Sequence, residues 1–374
     1  KMQDKIYKIN SITLDEQIQE FCLGYDHGIK TFYLEDFKEK ETSDNIEFKL
    51  GNIFLAHFLP IDDDLIVFTG SKKNAEFPQN TIVIFNIKTK KIIFKKAFEK
   101  DITNFKCVSN FIFIAFGQSL FIFSYVKEKN DLEQKEEHKI GPYSLFECWE
   151  EKQDEILNNL YLAYPYEKEL IIYYYTIKEW SYGNKLNIQS PVYQIQNLFY
   201  IKKLNQIFIS DETAKYIYGF DVDNGKKKLC LNRGKRPGFI TSITLLDEGK
   251  YLAINNLDRT IHIFDLDINN NEFSFSNVVY SIFSDIQEIY PRLRIYYEKI
   301  LEKEEGEYYK NFFSEKGALL YSDNNDELNI IAYNGLAFKI KINFKENSYK
   351  IISKVEYVEN KIKSVSLLNS GIGI

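Results

Sequence analysis

The chain has 374 residues and a net charge of −6, a length suited to one large domain or two smaller ones. With 27 Tyr and 30 Phe, aromatic residues make up 16% of it. Aromatic and β-branched side chains fit the pleated, half-buried surface of a sheet, so the composition points to an all-β protein. The strong basic excess of a nucleic-acid binder is lacking, and no uninterrupted apolar run reaches the about 18 residues of a membrane-spanning helix.

Short apolar runs broken by turn residues set the rhythm. The segments 53–59, 65–70, 81–87 and 91–98 read as strands, and 105–108, 111–116 and 119–125 repeat the pattern. It continues at 159–163, 170–176, 206–210, 216–222, 251–255 and 260–266, and closes at 328–332, 337–342 and 349–358. Asp223-Asn224-Gly225 is a strong hairpin signal. The groups recur every 40 to 55 residues or so, the blade period of propellers. Seven groups begin near residues 8, 52, 102, 142, 192, 238 and 317, although spacing alone leaves six or eight open. None carries a clean Trp-Asp dipeptide. The expected fold is all-β, a seven-bladed β-propeller with four antiparallel strands per blade in a single domain over 1–374.

Two stretches break the rhythm. Residues 127–139 are highly charged and read as a solvated hairpin tip in the third blade. Residues 267–306 are far too long for a blade loop, and such loops in compact domains are often functional. Cys22, Cys107, Cys148 and Cys230 are scattered, so neither a metal pattern nor a disulfide framework is expected. A reducing, cytosolic setting is the simplest reading. His27, His57, His138 and His262 fall in different groups, with no nucleophile elbow or phosphate-cradling glycine loop, so neither catalysis nor a cofactor is expected. Lys1-Met2-Gln3-Asp4 carries no apolar signal-peptide core. Any meeting with a membrane is therefore expected at its surface.

From Lys226 the chain reads KKKLCLNRGKRPGFITSITLLDEGKYLAINNLDRTIHIFDL. This stretch resembles the PROPPIN family, the phosphoinositide-binding propellers that include the WIPI proteins of autophagy. The family hallmark, Phe/Leu-Arg-Arg-Gly between blades five and six, corresponds to Leu231-Asn232-Arg233-Gly234. Its Gly-Thr-x-His-x-Phe corresponds to Arg259-Thr260-Ile261-His262-Ile263-Phe264. Residues 22–30, 81–91 and 329–344 are similar to other blades of the family. The resemblance implies binding of phosphatidylinositol 3-phosphate, its 3,5-bisphosphate or both. It also implies a peripheral place on endosomal, lysosomal, vacuolar or autophagosome-precursor membranes, and autophagy or trafficking proteins as partners.

In the family, two adjacent Arg side chains serve two separate head-group sites. For the second site the resemblance implies Arg233, Gly234, Thr260 and His262, with Asn255 or Asn256 where a Ser is usual and Lys235 and Arg236 adding charge. Arg offers a rigid fork of donors suited to phosphate, and the two-residue offset of Thr260 and His262 puts both on one strand face. The first site departs from the family. Asn232 replaces the first Arg, and the Ser-x-x-Gly-Thr-x-x-Arg stretch reads Asp211 to Tyr218 with Lys215 inside it. Asp211 would repel phosphate, so a degraded first site and one intact site are expected.

The family's blade-six loop enters the membrane, and 267–306 corresponds to it. Val279, Ile282, Phe283, Ile286, Ile289 and Tyr290 recur at helical spacing, and Leu293, Tyr296, Tyr297 and Ile300 continue the stripe. Arg292, Arg294 and Lys299 suit an anionic surface, while Asp285 and Glu288 do not. The competing reading is a scaffold that kept the fold, lost lipid binding and binds only proteins. Arg233 would then pair with a carboxylate at a blade junction, and His262 would be a satisfied structural histidine.

Overall fold

The computed structural model describes residues 9–15, 19–40, 50–74, 76–152, 158–178, 180–183, 186–234, 236, 238–257, 260–266, 288–296, 318–322, 326–333, 335–358 and 361–365. These form seven sheets. The first holds Ile9–Asp15, Glu20–Tyr25 and Gly28–Tyr33. The second holds Ile53–Phe58, Leu65–Gly70, Thr81–Asn86 and Lys91–Ala97. Asn104–Val108, Phe111–Phe116, Ser119–Val126 and Asp131–Lys139 make the third. The fourth has Glu147–Lys152, Asn158–Tyr166, Glu169–Thr176 and Ser181–Tyr182, with Leu186–Gln189 also in it.

The fifth sheet holds Asn197–Ile201, Gln206–Ser210, Tyr216–Asp221 and Lys227–Asn232, to which Glu288–Ile289 adds in parallel. The sixth holds Ile240–Leu246, Tyr251–Asn256, Thr260–Asp265 and Pro291–Tyr296. The seventh runs from Ala318–Tyr321 through Glu327–Ala332, Leu336–Asn343 and Ser348–Val358 to Lys361–Val365. The fold is a seven-bladed β-propeller, and each sheet begins within five residues of the start expected for its sequence group. Contacts divide the chain into two compact units. One contains Lys1–Tyr166, Ile171–Lys185 and Val358–Ile362, and the other contains Glu167–Leu170, Leu186–Tyr357 and Lys363–Ile374.

Within each unit, neighbouring sheets share apolar cores. Val67, Ile84, Phe105, Ile114 and Phe123 join the second and third sheets, and Phe208, Ile217, Leu252, Ile254 and Phe264 join the fifth and sixth. This explains the unbroken apolar runs of the inner strands: every residue of Leu65–Gly70 and of Phe111–Phe116 is buried, because both faces of such a strand are covered. Outer strands instead face water on one side. The charged stretch 127–139 is one of these, not a hairpin tip. Only 127–130 turns, while Asp131–Lys139 pairs with Ser119–Val126 along its length. Leu132 and His138 point inward and the intervening charges do not.

Gly70 ends a buried strand where the backbone passes very close. A Cβ there would stand 1.7 Å from the carbonyl oxygen of Phe77. Asn74 fixes that loop by donating to the Leu50 carbonyl at 2.7 Å and accepting from the Phe77 amide at 3.0 Å. Gly70→Ala should therefore lower the unfolding free energy by about 1–3 kcal/mol, as overpacking does; urea denaturation measures it.

His57 lies edge-on to Phe105, with ring centroids 4.9 Å apart. Burial, helped by the Lys106 charge, pushes its imidazole down to about 3 from an ordinary 6.5. The unfolded chain thus binds the extra proton first, and stability should fall as pH drops from about 6.5 towards about 3. In His57→Phe that part of the slope should be missing from unfolding free energies measured across the same range.

Candidate functional site

The expected second site falls where the outer strand of the fifth sheet leads into the sixth. Lys227–Asn232 ends at Asn232, and residues 233–239 cross to Ile240–Leu246. Arg233 does not face solvent there: it is only 2% exposed. Its Nε donates to the Ala214 carbonyl at 3.1 Å, and its Nη2 donates to the carbonyls of Thr213, at 3.0 Å, and Arg236. The backbone reinforces this clamp, since the Arg233 amide donates to Lys215 and the Gly238 amide to Thr213. Arg233 therefore ties the 213–215 turn to the 233–238 connection through backbone carbonyls.

Thr260 and His262 do share a face, with Thr260 Oγ1 3.0 Å from His262 Nε2. They are 6% and 5% exposed. Asn255 serves the neighbouring strand: its Nδ2 reaches Thr241 Oγ1 at 2.5 Å and the Ala318 carbonyl at 3.0 Å. Ser242 Oγ donates to the same carbonyl and accepts from the Leu320 amide, both at 2.9 Å. Asn256, 1% exposed, donates to the Thr260 carbonyl at 3.3 Å, while its Oδ1 has no hydrogen-bond partner among the described residues. Arg233, Asn255, Asn256, Thr260 and His262 are thus all buried; Asn256, Thr260 and His262 share one face of the sixth sheet, while Asn255 lies on the other, against the seventh. Lys235 lies outside the described residues, and Arg236 is exposed.

Gly234 has φ +119°, a conformation that favours glycine. A Cβ at this position would stand 3.5 Å from Nη2 of Arg294. Arg294 is exposed and lies directly across from His262 in the pairing of Pro291–Tyr296 with Thr260–Asp265. Directly opposed residues of an antiparallel pair project on one face, so Arg294 shares the Thr260 and His262 face. The helical reading gave this residue to the insertion loop, not to the site. The signal that reveals it is the alternation of Arg292, Arg294 and Tyr296 with the buried Leu293 and Ile295.

This is also the correction to the expected insertion loop. The segments Glu288–Ile289 and Pro291–Tyr296 are strands, not parts of an amphipathic helix. Ile289 is buried in the core of the fifth and sixth sheets. Lipid therefore has no access to its side chain, whereas Tyr290 is 50% exposed. Ile282, Phe283 and Ile286 lie outside the described residues.

The first-site residues are differently employed. Asp211 Oδ1 accepts from the amides of Thr213 and Ala214, both at 3.0 Å, and from Thr213 Oγ1 at 2.7 Å. Lys215 lays its ammonium 4.9 Å from the Tyr216 ring centroid. Asn232 Nδ2 donates to Glu288 Oε2 at 2.9 Å, and its Oδ1 accepts from the Gly234 amide at 3.1 Å. Burial, then the neighbouring Cys230, Tyr216, Glu288 and Asp211, push the Tyr218 phenol up to about 12. Burial and the Glu288 carboxylate likewise push the Cys230 thiol up to about 11.

No family model and no curated protein matches the chain by sequence. Solved structures match it by fold. Kluyveromyces lactis Hsv2 aligns over 94% of this chain and 99% of its own, with 14% identity and a TM-score of 0.68. A complex of KlAtg21 with the coiled coil of AgAtg16 aligns over 94% and 99%, with 14% identity and a TM-score of 0.61. This chain has the fold of the Hsv2 propellers. Saccharomyces cerevisiae Sqt1 also matches, over 93% and 86% with 11% identity and a TM-score of 0.59. Fold does not fix function, which has to be argued from the site.

Arg233→Ala should destabilise the chain by about 2–5 kcal/mol, because it removes a buried cation and leaves three carbonyls short of a donor. Arg233→Lys should restore only part of this, since an ammonium lacks the fork. Chemical denaturation of both variants measures the difference.

Proposed function

We propose that this chain is a phosphoinositide-binding propeller of the PROPPIN family. It would act as a single-domain peripheral membrane effector for phosphatidylinositol 3-phosphate, its 3,5-bisphosphate or both. One head-group site works, at the junction of the fifth and sixth sheets. The observation that carries this reading is the face on which Thr260 and His262 lie beside Arg294, with Gly234 against its guanidinium. Hydroxyl, imidazole and guanidinium groups on one strand face match the donors that a phosphorylated inositol ring requires. The resemblance of 226–266 to the family and the fold likeness to Hsv2 support it.

The effector's role is recruitment of further proteins to endosomal, vacuolar or autophagosome-precursor membranes. KlAtg21 was solved with the coiled coil of AgAtg16, so a coiled-coil protein of autophagy or membrane traffic is the partner class this reading takes. A second reading, a protein-binding scaffold without lipid affinity, draws on the burial of Arg233, Thr260 and His262.

Vesicle co-sedimentation decides between the two. The effector should pellet with vesicles containing phosphatidylinositol 3-phosphate and stay in solution with the same vesicles containing phosphatidylinositol. Binding should weaken as salt rises, as exposed charge pairing does. Indifference to the 3-phosphate would leave the scaffold.

A further inference from the structure

The chain has only five arginines, Arg233, Arg236, Arg259, Arg292 and Arg294, and all fall between residues 233 and 294. Everywhere else the basic residues are lysines. Arginine is chosen over lysine where a planar fork must meet a phosphate, a carboxylate or a set of carbonyls. Two of the five are committed to structure. Arg233 is enclosed and donates to three carbonyls. Arg292 donates to Asp265 Oδ2 at 2.8 Å, Tyr251 Oη at 3.2 Å, Asn347 Oδ1 at 2.9 Å and the Phe344 carbonyl at 2.6 Å. Arg259 lies outside the described residues.

Arg294 and Arg236 differ from these. Both are exposed, and neither guanidinium meets a carboxylate among the described residues. The strand of Arg294 is pinned by the neighbouring Arg292 network and by the buried Leu293 and Ile295, and its guanidinium lies beside Gly234, 3.5 Å from the position a Cβ there would take. Beneath it are His262, its cross-strand neighbour, and Thr260. Arg236 stands two residues beyond Gly234, with its carbonyl fixed by Arg233.

We propose that Arg294, assisted by Arg236, is the group that grips the phosphomonoester of the head group, and that Arg233 serves only to shape the connection beneath them. This inference rests on the phosphoinositide reading above, and it reassigns the principal cation of that site. Arg233 could reach a phosphate only by giving up hydrogen bonds to buried carbonyls, which is costly. Arg294 already faces solvent and has five N–H donors to offer.

The test uses the full chain, wild type and Arg294→Gln, in two arms. One arm is flotation with vesicles containing phosphatidylinositol 3-phosphate or phosphatidylinositol. The other is titration with soluble inositol 1,3-bisphosphate and with inorganic phosphate. Arg294→Gln should bind the 3-phosphate vesicles and the soluble head group about ten- to a hundredfold more weakly, the loss expected for one or two charge-assisted hydrogen bonds. Its melting temperature should match the wild type, since the side chain is exposed. Arg294→Lys should fall between the two. Equal binding by wild type and Arg294→Gln overturns the inference while leaving the phosphoinositide reading intact. Arg294-dependent binding of the soluble head group without vesicle flotation upholds the inference and removes the membrane role. Binding to neither ligand by the wild type overturns both.

Discussion

A guanidinium out of water must be surrounded by acceptors, and the acceptors of Arg233 come from two different connections. The 213–215 turn supplies two carbonyls and the 233–238 segment supplies the third. Satisfying one buried cation therefore fixes the path between the fifth and sixth sheets. Asp211 primes the turn from the other side by accepting the Thr213 and Ala214 amides, so their carbonyls are presented to the guanidinium. With that path set, Gly234 adopts its positive φ and comes against Arg294. The accessible face of the site thus depends on a residue that is itself inaccessible.

The same logic recurs at this junction and between other neighbouring sheets, with neutral side chains in place of arginine. Asn197 donates to Ser210 Oγ and the Asp211 carbonyl and accepts from the Ile240 amide, linking the fifth and sixth sheets. Thr241, Ser242 and Asn255 converge on the Ala318 carbonyl, linking the sixth and seventh. Thr103 Oγ1 meets Ser144 Oγ at 2.7 Å, and Asn104 donates to the Ser144 carbonyl at 3.1 Å, linking the third and fourth. Apolar burial between sheets is strong but non-directional. Buried hydrogen bonds are costly to break and require one geometry, so they set the registration that shared apolar cores alone leave loose.

The inner strands were legible in the sequence because they obey a local rule. Runs such as Leu65–Gly70 and Phe111–Phe116 are apolar throughout and end at turns, and the strands have those boundaries. The outer strands were harder. Asp131–Lys139 buries only two of its nine residues, and its charges read as loop when taken without a partner strand. Pro291–Tyr296 was hidden by distance, since 25 residues separate it from Thr260–Asp265 in the chain. Two apolar periods overlap there, and only pairing with His262 and its neighbours selects the strand. The burial of Arg233 was beyond local reading for the same reason: two of its three acceptors lie 19 and 20 residues upstream. In each case the deciding term is tertiary.

The surroundings of Asn232 are set by a short added strand. Glu288–Ile289 pairs in parallel with Lys227–Asn232, which places a carboxylate beside the outer strand. An amide at 232 suits that neighbour doubly, since Nδ2 donates to Glu288 while Oδ1 accepts from the Gly234 amide. A guanidinium could do the first and not the second, because it has no acceptor. Tyr290 Oη donates to the same Glu288 oxygen at 3.0 Å, so two neutral donors meet on the carboxylate. A phosphate approaching Asn232 would meet Glu288 and, on the turn below, Asp211. Like charges oppose its entry there, and the ammonium of nearby Lys215 is drawn over Tyr216. The asymmetry of the junction therefore has an electrostatic cause: carboxylates hold the fifth-sheet side, and Arg294 and Arg236, which meet no carboxylate among the described residues, stand on the sixth-sheet side and on the connection leading to it.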